Sequence, residues 1–150
     1  TLGGSGTTLS AVEISNYNLR FFSVGDSPAV HINEQGLTQY HSNLHSPVAY
    51  ALKSELFKED TIYQKEEENY LSNALGLDHY YLEVSPLIKM DKGDVCLLCS
   101  DGLFDKKFDY LFYLDSKKDY RQQILDLSFF KQEGKIELFD DMSFIIIERI

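Results

Sequence analysis

Two acidic turns beside apolar stretches contain the side chains best suited to chemistry. Asp101 follows the apolar run at 95–99, and Asp140 and Asp141 precede a second run at 144–147. A carboxylate beside a dry apolar strand is costly unless hydrogen bonds, an opposite charge or a metal ion compensate it. The two turns therefore predict a shared cation site, and oxygen ligands favour Mg²⁺, Mn²⁺ or Ca²⁺ over zinc.

The composition is that of an acidic globular chain. Its 150 residues are 43% hydrophobic and 13% aromatic, enough for the core of one domain or a large part of one. Fourteen Lys and Arg against 24 Asp and Glu give a net charge of -10, which argues against binding to nucleic acid or an anionic membrane. No apolar run approaches the roughly 18 residues of a membrane span, and no signal peptide opens the chain. The sequence predicts a cytoplasmic protein.

Cysteine and histidine spacing does not add a second metal or redox site. Cys96 and Cys99 lie three residues apart on a predicted strand, where their side chains point to opposite faces, so we expect two buried, inert thiols. His41 and His45 have the i, i+4 spacing of a zinc-binding helix face. They lack a glutamate between them and precede Pro47, so we do not predict a metal site there.

The first part of the chain reads as strands. β-branched and aromatic residues predominate at 7–14 and 19–24, and the polar residues at 15–18 between them suit a hairpin turn. Extended stretches follow at 29–32 and 37–40, each after a tight turn. A β-meander is the simplest interpretation.

Helical patterns follow. Ser46 is a good N-cap with Pro47 at the first helical position, and apolar residues then recur at fourfold spacing as far as residue 56. A second helix is predicted at 66–75, and two amphipathic helices at 104–114 and 117–130.

Further strands lie between and after these helices. Residues 80–88 alternate like a half-buried strand that Pro86 interrupts. The stretches at 95–99 and 144–147 are apolar on both faces, which predicts a sheet covered on each side by another layer.

Five short motifs run in order along the chain. They are Gly-Thr-Thr-Leu at 6–9, Val-Gly-Asp-Ser at 24–27, Asn-Ala-Leu-Gly at 73–76, Gly-Asp at 93–94 followed by Leu-Leu-Cys-Ser-Asp-Gly-Leu at 97–103, and Asp-Asp-Met-Ser at 140–143. Together they resemble the metal-dependent protein serine/threonine phosphatases, the protein phosphatase 2C family. The resemblance implies an α+β fold, an αββα sandwich of two antiparallel sheets flanked by helices. Residues 1–150 would be the C-terminal portion of a single catalytic domain.

The resemblance also implies a chemistry. In that family a dinuclear Mn²⁺ or Mg²⁺ centre activates a water that attacks the phosphorus of phosphoserine or phosphothreonine in a protein substrate. By position, Asp101 and Asp140 match the C-terminal metal ligands, and Gly102 would allow the tight turn that aims Asp101. The family usually has Asn where this chain has Asp141, so the ligand is either Asp140 or Asp141. Asp26 matches a structural residue of the family.

The N-terminal motifs of the family are not in this sequence. They supply further metal ligands, a phosphate-binding arginine and often a general-acid histidine. We therefore expect this chain alone to bind metal poorly and to need the missing N-terminal portion as a partner. Two alternatives are a catalytically silent phosphatase-like binding or regulatory module and a bacterial phosphatase acting on a phosphorylated partner-switching protein. The presence of both Asp101 and Asp140 argues against a silent scaffold.

Overall fold

The computed structural model describes residues 5–47, 50, 70–103, 119, 122–123, 129–132, 135–138 and 143–150. These residues form ten strands and one short 3-10 helix. Their bounds are β1 Leu9–Ser15, β2 Asn18–Val24, β3 Ala29–Ile32, β4 Thr38–His41, β5 Glu83–Val84, β6 Ile88–Lys89, β7 Val95–Cys99, the 3-10 helix Asp101–Leu103, β8 Phe129–Gln132, β9 Lys135–Leu138 and β10 Phe144–Glu148. Within this part of the chain, no helix has the length and apolar character needed to cross a membrane.

The first antiparallel sheet is built on the β1–β2 hairpin, as predicted. Asn16 and Tyr17 at its tip have φ angles of 49° and 61°, the left-handed values that a two-residue hairpin turn requires. The short strands β5 and β6 both pair with β2. Pro86 lies between them and has no N–H to donate to a ladder, so the predicted interruption of that strand is confirmed.

The second antiparallel sheet has the order β10-β7-β3-β4. The predicted β-meander is wrong, because β3 pairs with β4 and β7 instead of β2. The chain crosses between the sheets at 25–28, where Gly25 has a φ of 98°. A Cβ at this glycine would lie 2.5 Å from Cγ2 of Thr8, so the crossing depends on glycine both for its backbone angle and for space.

A hydrophobic core lies between the two sheets. Leu19 and Phe21 of β2 pack in one buried cluster with Cys96 and Leu98 of β7. Phe21 also stacks on the ring of Tyr40 with 5.4 Å between ring centroids. The face-to-face arrangement of two antiparallel sheets agrees with the expected sandwich.

The opposite face of the second sheet is buried as well. Its cluster consists of Val30, Ile32, Val95, Leu97 and Cys99. Every residue of β7 is buried, which confirms that this strand is packed on both faces. Strand β10 differs, since it ends the described strand order and its Ile145 is 58% exposed. The expectation that both faces of 144–147 are covered is therefore wrong at this residue.

The two cysteines are inert, as expected. Cys96 belongs to the cluster between the sheets and Cys99 to the cluster on the opposite face. Both thiols are free and buried. Burial raises the pKa of Cys96 to about 12 and also raises that of Cys99, so neither thiol forms the reactive thiolate at neutral pH.

The helix predicted at 66–75 is wrong over 70–75, which are not helical. The backbone of Leu75 forms an antiparallel bridge with Thr7, with both N–H to O distances at 2.9 Å. The backbone N–H and carbonyl of Leu75 therefore form hydrogen bonds with Thr7 and not with residues of its own helical turn. The start of this helix, 66–69, lies outside the described residues.

The helix predicted at 117–130 is wrong at its end, because Phe129 belongs to β8 and pairs with Leu138 of β9. Among the described residues, helical i to i+4 hydrogen bonds run from the Tyr50 N–H to the Ser46 carbonyl and from the Gln123 N–H to the Asp119 carbonyl, each 3.1 Å. The first agrees with the predicted helix start at Ser46. Most of the predicted flanking helices, including 104–114, lie outside the described residues.

Candidate metal centre

The pairing of β7 with β10 places the start of the first acidic turn, at Ser100, beside the end of the second, at Ser143. Its last strand pair is Cys99 with Phe144. Immediately beyond it, Ser100 N–H donates to the Ser143 carbonyl at 2.9 Å, and Ser143 N–H donates to Ser100 Oγ at 2.9 Å. The two acidic turns therefore join the second sheet at the same end, one directly after Ser100 and one directly before Ser143.

Asp101 begins the 3-10 helix that follows Ser100, and it is exposed. Its carboxylate forms no hydrogen bond or ion pair within the described part of the chain. Gly102 does not have a positive φ, so the expectation that this glycine makes the turn through its special backbone freedom is wrong. The chain turns through an ordinary 3-10 conformation instead.

The other predicted ligand, Asp140, lies outside the described residues, as does Asp141. Among the residues that are described, no group of three His, Cys, Asp or Glu side chains could hold a metal ion. Asp101 offers carboxylate oxygen, the donor that Mg²⁺ and Mn²⁺ prefer. The Asp101 carboxylate is therefore a suitable ligand for Mg²⁺ or Mn²⁺.

The end of β7 is anchored to the crossing between the sheets. Cys99 N–H donates to the Pro28 carbonyl at 3.1 Å, and the Ser10 hydroxyl donates to the same carbonyl at 3.3 Å. The Thr8 and Ser27 hydroxyls share a hydrogen bond of 2.7 Å. These bonds fix the strand end from which Asp101 departs.

A buried polar cluster around His45 is a feature that the sequence did not reveal. His45 has no exposed surface, and its Nδ1 accepts the Gly25 N–H at 3.0 Å. Because Nδ1 accepts, the ring proton is on Nε2, which donates to Glu83 at 2.9 Å. The ring thus joins the crossing between the sheets to β5.

Asn73 extends this cluster to a fourth segment. Its Oδ1 accepts the Tyr81 N–H at 3.1 Å and its Nδ2 donates to the Tyr81 carbonyl at 2.8 Å, which fixes the orientation of the amide. The same Nδ2 lies 2.8 Å from His45 Nδ1. The Asn-Ala-Leu-Gly motif therefore contributes a structural asparagine instead of a helix end.

Glu83 is the acidic member of the cluster. Burial alone would raise the pKa of its carboxyl, but hydrogen bonds from His45 and Asn43 outweigh burial and leave the pKa below its usual value. Burial, together with the negative charge of Glu83, raises the pKa of Tyr40 to about 12. The carboxylate is thus ionised and the phenol neutral at pH 7.

The depressed pKa of Glu83 predicts a pH-dependent contribution to stability. The contribution is present above the usual pKa of 4.5 and is lost as the pH falls through the lower folded value. We expect Glu83→Gln to be less stable than wild type at pH 7, with the difference shrinking below about pH 4.5. Urea unfolding from pH 7 to pH 3 measures it.

The charge-matched control is Glu148→Gln, which removes an exposed carboxylate from β10. This variant separates the local effect at Glu83 from the loss of one negative charge. A Glu83→Gln difference that stayed constant from pH 7 to pH 3 would contradict the assignment of an ionised, hydrogen-bonded Glu83.

A second buried histidine lies at the other end of β7. His31 Nε2 is 2.9 Å from Asp94 Oδ2, and both side chains are almost fully buried. Asp94 also accepts the backbone N–H groups of Glu34 at 3.1 Å and Asp91 at 2.8 Å. This pair ties two loops together. Asp94 directly precedes β7, whereas Asp101 follows this strand. The structure therefore does not bring His31 to the candidate centre.

No protein-family model matches the sequence, and no curated protein matches it significantly. Solved structures do match. The serine/threonine phosphatase MsPP of Mycobacterium smegmatis, solved with cacodylate, is 21% identical over 99% of this chain, with a TM-score of 0.69. The catalytic domain of PstP, solved with two manganese ions, is 22% identical over 81% of the chain, with a TM-score of 0.57. Stp1 of Staphylococcus aureus is 18% identical over 95% of the chain, with a TM-score of 0.60.

The matches cover only part of the solved proteins. This chain spans 65% of MsPP, 51% of PstP and 56% of Stp1. The alignment with MsPP covers 99% of this chain and so includes the two antiparallel sheets described above. The chain therefore carries part of the fold of the PPM serine/threonine phosphatases.

Proposed function

We propose that this chain is part of a metal-dependent protein serine/threonine phosphatase. Its reaction is hydrolysis of phosphoserine or phosphothreonine in a phosphorylated protein substrate. The observation that carries the proposal is the mutual hydrogen bonding of Ser100 and Ser143, since it joins both acidic turns to one end of the second sheet. The PPM fold supports the same conclusion.

Asp101 would hold the cation together with Asp140 or Asp141. Carboxylates favour Mn²⁺ or Mg²⁺, and the similar PstP domain was solved with two manganese ions. Bound cations supply a water nucleophile of lowered pKa and neutralise charge on the transferring phosphoryl group. The chain's own contribution is to hold Asp101 exposed at a strand end that the Pro28 carbonyl anchors.

We further propose that residues 1–150 are the C-terminal portion of a single catalytic domain. The chain spans half to two thirds of similar phosphatases, and the described residues do not contain a complete set of metal ligands. It would then require the N-terminal portion of the domain as a partner and be inactive alone. The cytoplasmic location stays a prediction from composition.

The test is hydrolysis of a phosphothreonine peptide by the full-length protein that contains this chain. We expect hydrolysis with Mn²⁺, loss of hydrolysis with excess EDTA, and recovery when Mn²⁺ is restored. The isolated chain 1–150 should show none in the same assay. Hydrolysis by the isolated chain would contradict the proposed dependence on the remainder of the domain. No hydrolysis by the full-length protein, with no Mn²⁺ bound by calorimetry, would favour the catalytically silent binding or regulatory module.

A further inference from the structure

The last bonds between β7 and β10 depart from a regular antiparallel ladder. In a hydrogen-bonded pair, two opposite residues exchange both of their backbone N–H to carbonyl bonds. Ser100 and Ser143 make only one bond of this kind, from Ser100 N–H to the Ser143 carbonyl at 2.9 Å. The Ser143 N–H instead donates to the Ser100 side-chain oxygen, also at 2.9 Å.

The Ser100 hydroxyl thus takes the place of a backbone carbonyl. This side-chain bond keeps the two segments of the chain paired at Ser100, the residue directly after β7. The next residue, Asp101, begins the 3-10 helix. A side-chain acceptor therefore lets the chain turn away without losing its hold on the neighbouring strand.

We infer that Ser100 is a positioning residue for the candidate cation site. Its hydroxyl accepts the Ser143 N–H at 2.9 Å and so holds the strand end from which Asp101 departs. The inference rests on the proposed function. Ser100 itself need not touch the cation, because it acts on the position of Asp101, the next residue.

The chemistry of the bond defines the variants that test it. Ser100→Ala removes the acceptor, whereas Ser100→Thr retains a hydroxyl. Ser143→Ala is a matched control, since it removes the other hydroxyl of the same pair but leaves the backbone N–H that donates. All variants are made in the full-length protein, and Mn²⁺ binding is followed by electron paramagnetic resonance titration of free Mn²⁺.

We expect Ser100→Ala to weaken Mn²⁺ binding by about tenfold, as is typical for residues that orient metal ligands. Ser100→Thr and Ser143→Ala should stay within about twofold of wild type. Circular dichroism melting of each variant verifies that it is folded. A purely structural role of residue 100 would lower the melting temperature of Ser100→Ala without changing its Mn²⁺ affinity, so the affinity measurement separates the two roles.

Two outcomes would overturn the inference alone. One is a Ser100→Ala protein with wild-type Mn²⁺ affinity, and the other is an equal loss in Ser143→Ala. If the wild-type protein binds no Mn²⁺ and hydrolyses no phosphopeptide, the proposed function itself fails and this inference fails with it. Measuring wild-type binding first therefore distinguishes the two failures.

Discussion

Replacing Asp101 with asparagine in the full-length protein is expected to lower kcat for Mn²⁺-dependent phosphothreonine hydrolysis by at least about 100-fold. The amide has nearly the same shape as the carboxylate, so the substitution removes charge and one anionic oxygen without adding bulk. Asp101 is exposed and its carboxylate has no described protein partner, so its loss should scarcely affect folding. Initial rates across a range of Mn²⁺ concentrations measure both kcat and the metal requirement.

Asp91→Asn is the matched control for Asp101→Asn. Asp91 is also an exposed aspartate, paired with Lys89 at 2.6 Å, and its substitution changes the net charge equally. It precedes β7 whereas Asp101 follows it, and a strand of this length separates them by about 17 Å. We expect its activity to stay within about twofold of wild type. Full activity of Asp101→Asn, or an equal loss in both variants, would show that Asp101 is not a metal ligand.

The acidic turns could be recognised from the sequence, but their common location could not. Asp101 is predictable as a residue at a strand end because the apolar run at 95–99 stops just before it. Strands β7 and β10 are far apart in the chain, and the Ser100–Ser143 bond joins residues 43 positions apart. The topology, not the local pattern, decides this pairing.

The difference between local patterns and the pairing of distant segments also explains which elements were predicted correctly. The β1–β2 hairpin depends on a local turn, and its strands and turn residues are adjacent in sequence. The β-meander failed because a period-two pattern identifies a strand without identifying its neighbour, and β3 joined the other sheet. The helix predicted at 66–75 is wrong over 70–75, where the apolar spacing was helical but the Leu75 backbone pairs with Thr7.

The His45 cluster was missed for a related reason. Asn73 lies 28 residues after His45, and Glu83 lies 38 residues after it. Neither shares a short motif of polar residues with His45. The i, i+4 spacing of His41 and His45 is local and does not indicate these distant partners. The contribution of His45 is visible only in the packed structure, where its two nitrogens accept and donate on opposite sides.

Replacing His45 with alanine is expected to lower the free energy of unfolding by about 3 kcal/mol. The change leaves a cavity at a fully buried position and removes the acceptor of the Gly25 N–H and the donor to Glu83. Buried polar groups left without partners account for most of the expected loss. Urea unfolding at pH 7 measures it as a lower midpoint with an unchanged slope.

His41→Ala is the control, because His41 is exposed and its Nδ1 contacts only the adjacent Ser42 carbonyl among the described residues. We expect it to change stability by less than about 0.5 kcal/mol. Equal effects of the two substitutions would contradict a special role for His45. The position of Gly25 gives the result a functional meaning, since the same crossing between the sheets carries the Pro28 carbonyl that holds the end of β7. Stability at His45 and the placement of Asp101 therefore depend on one turn.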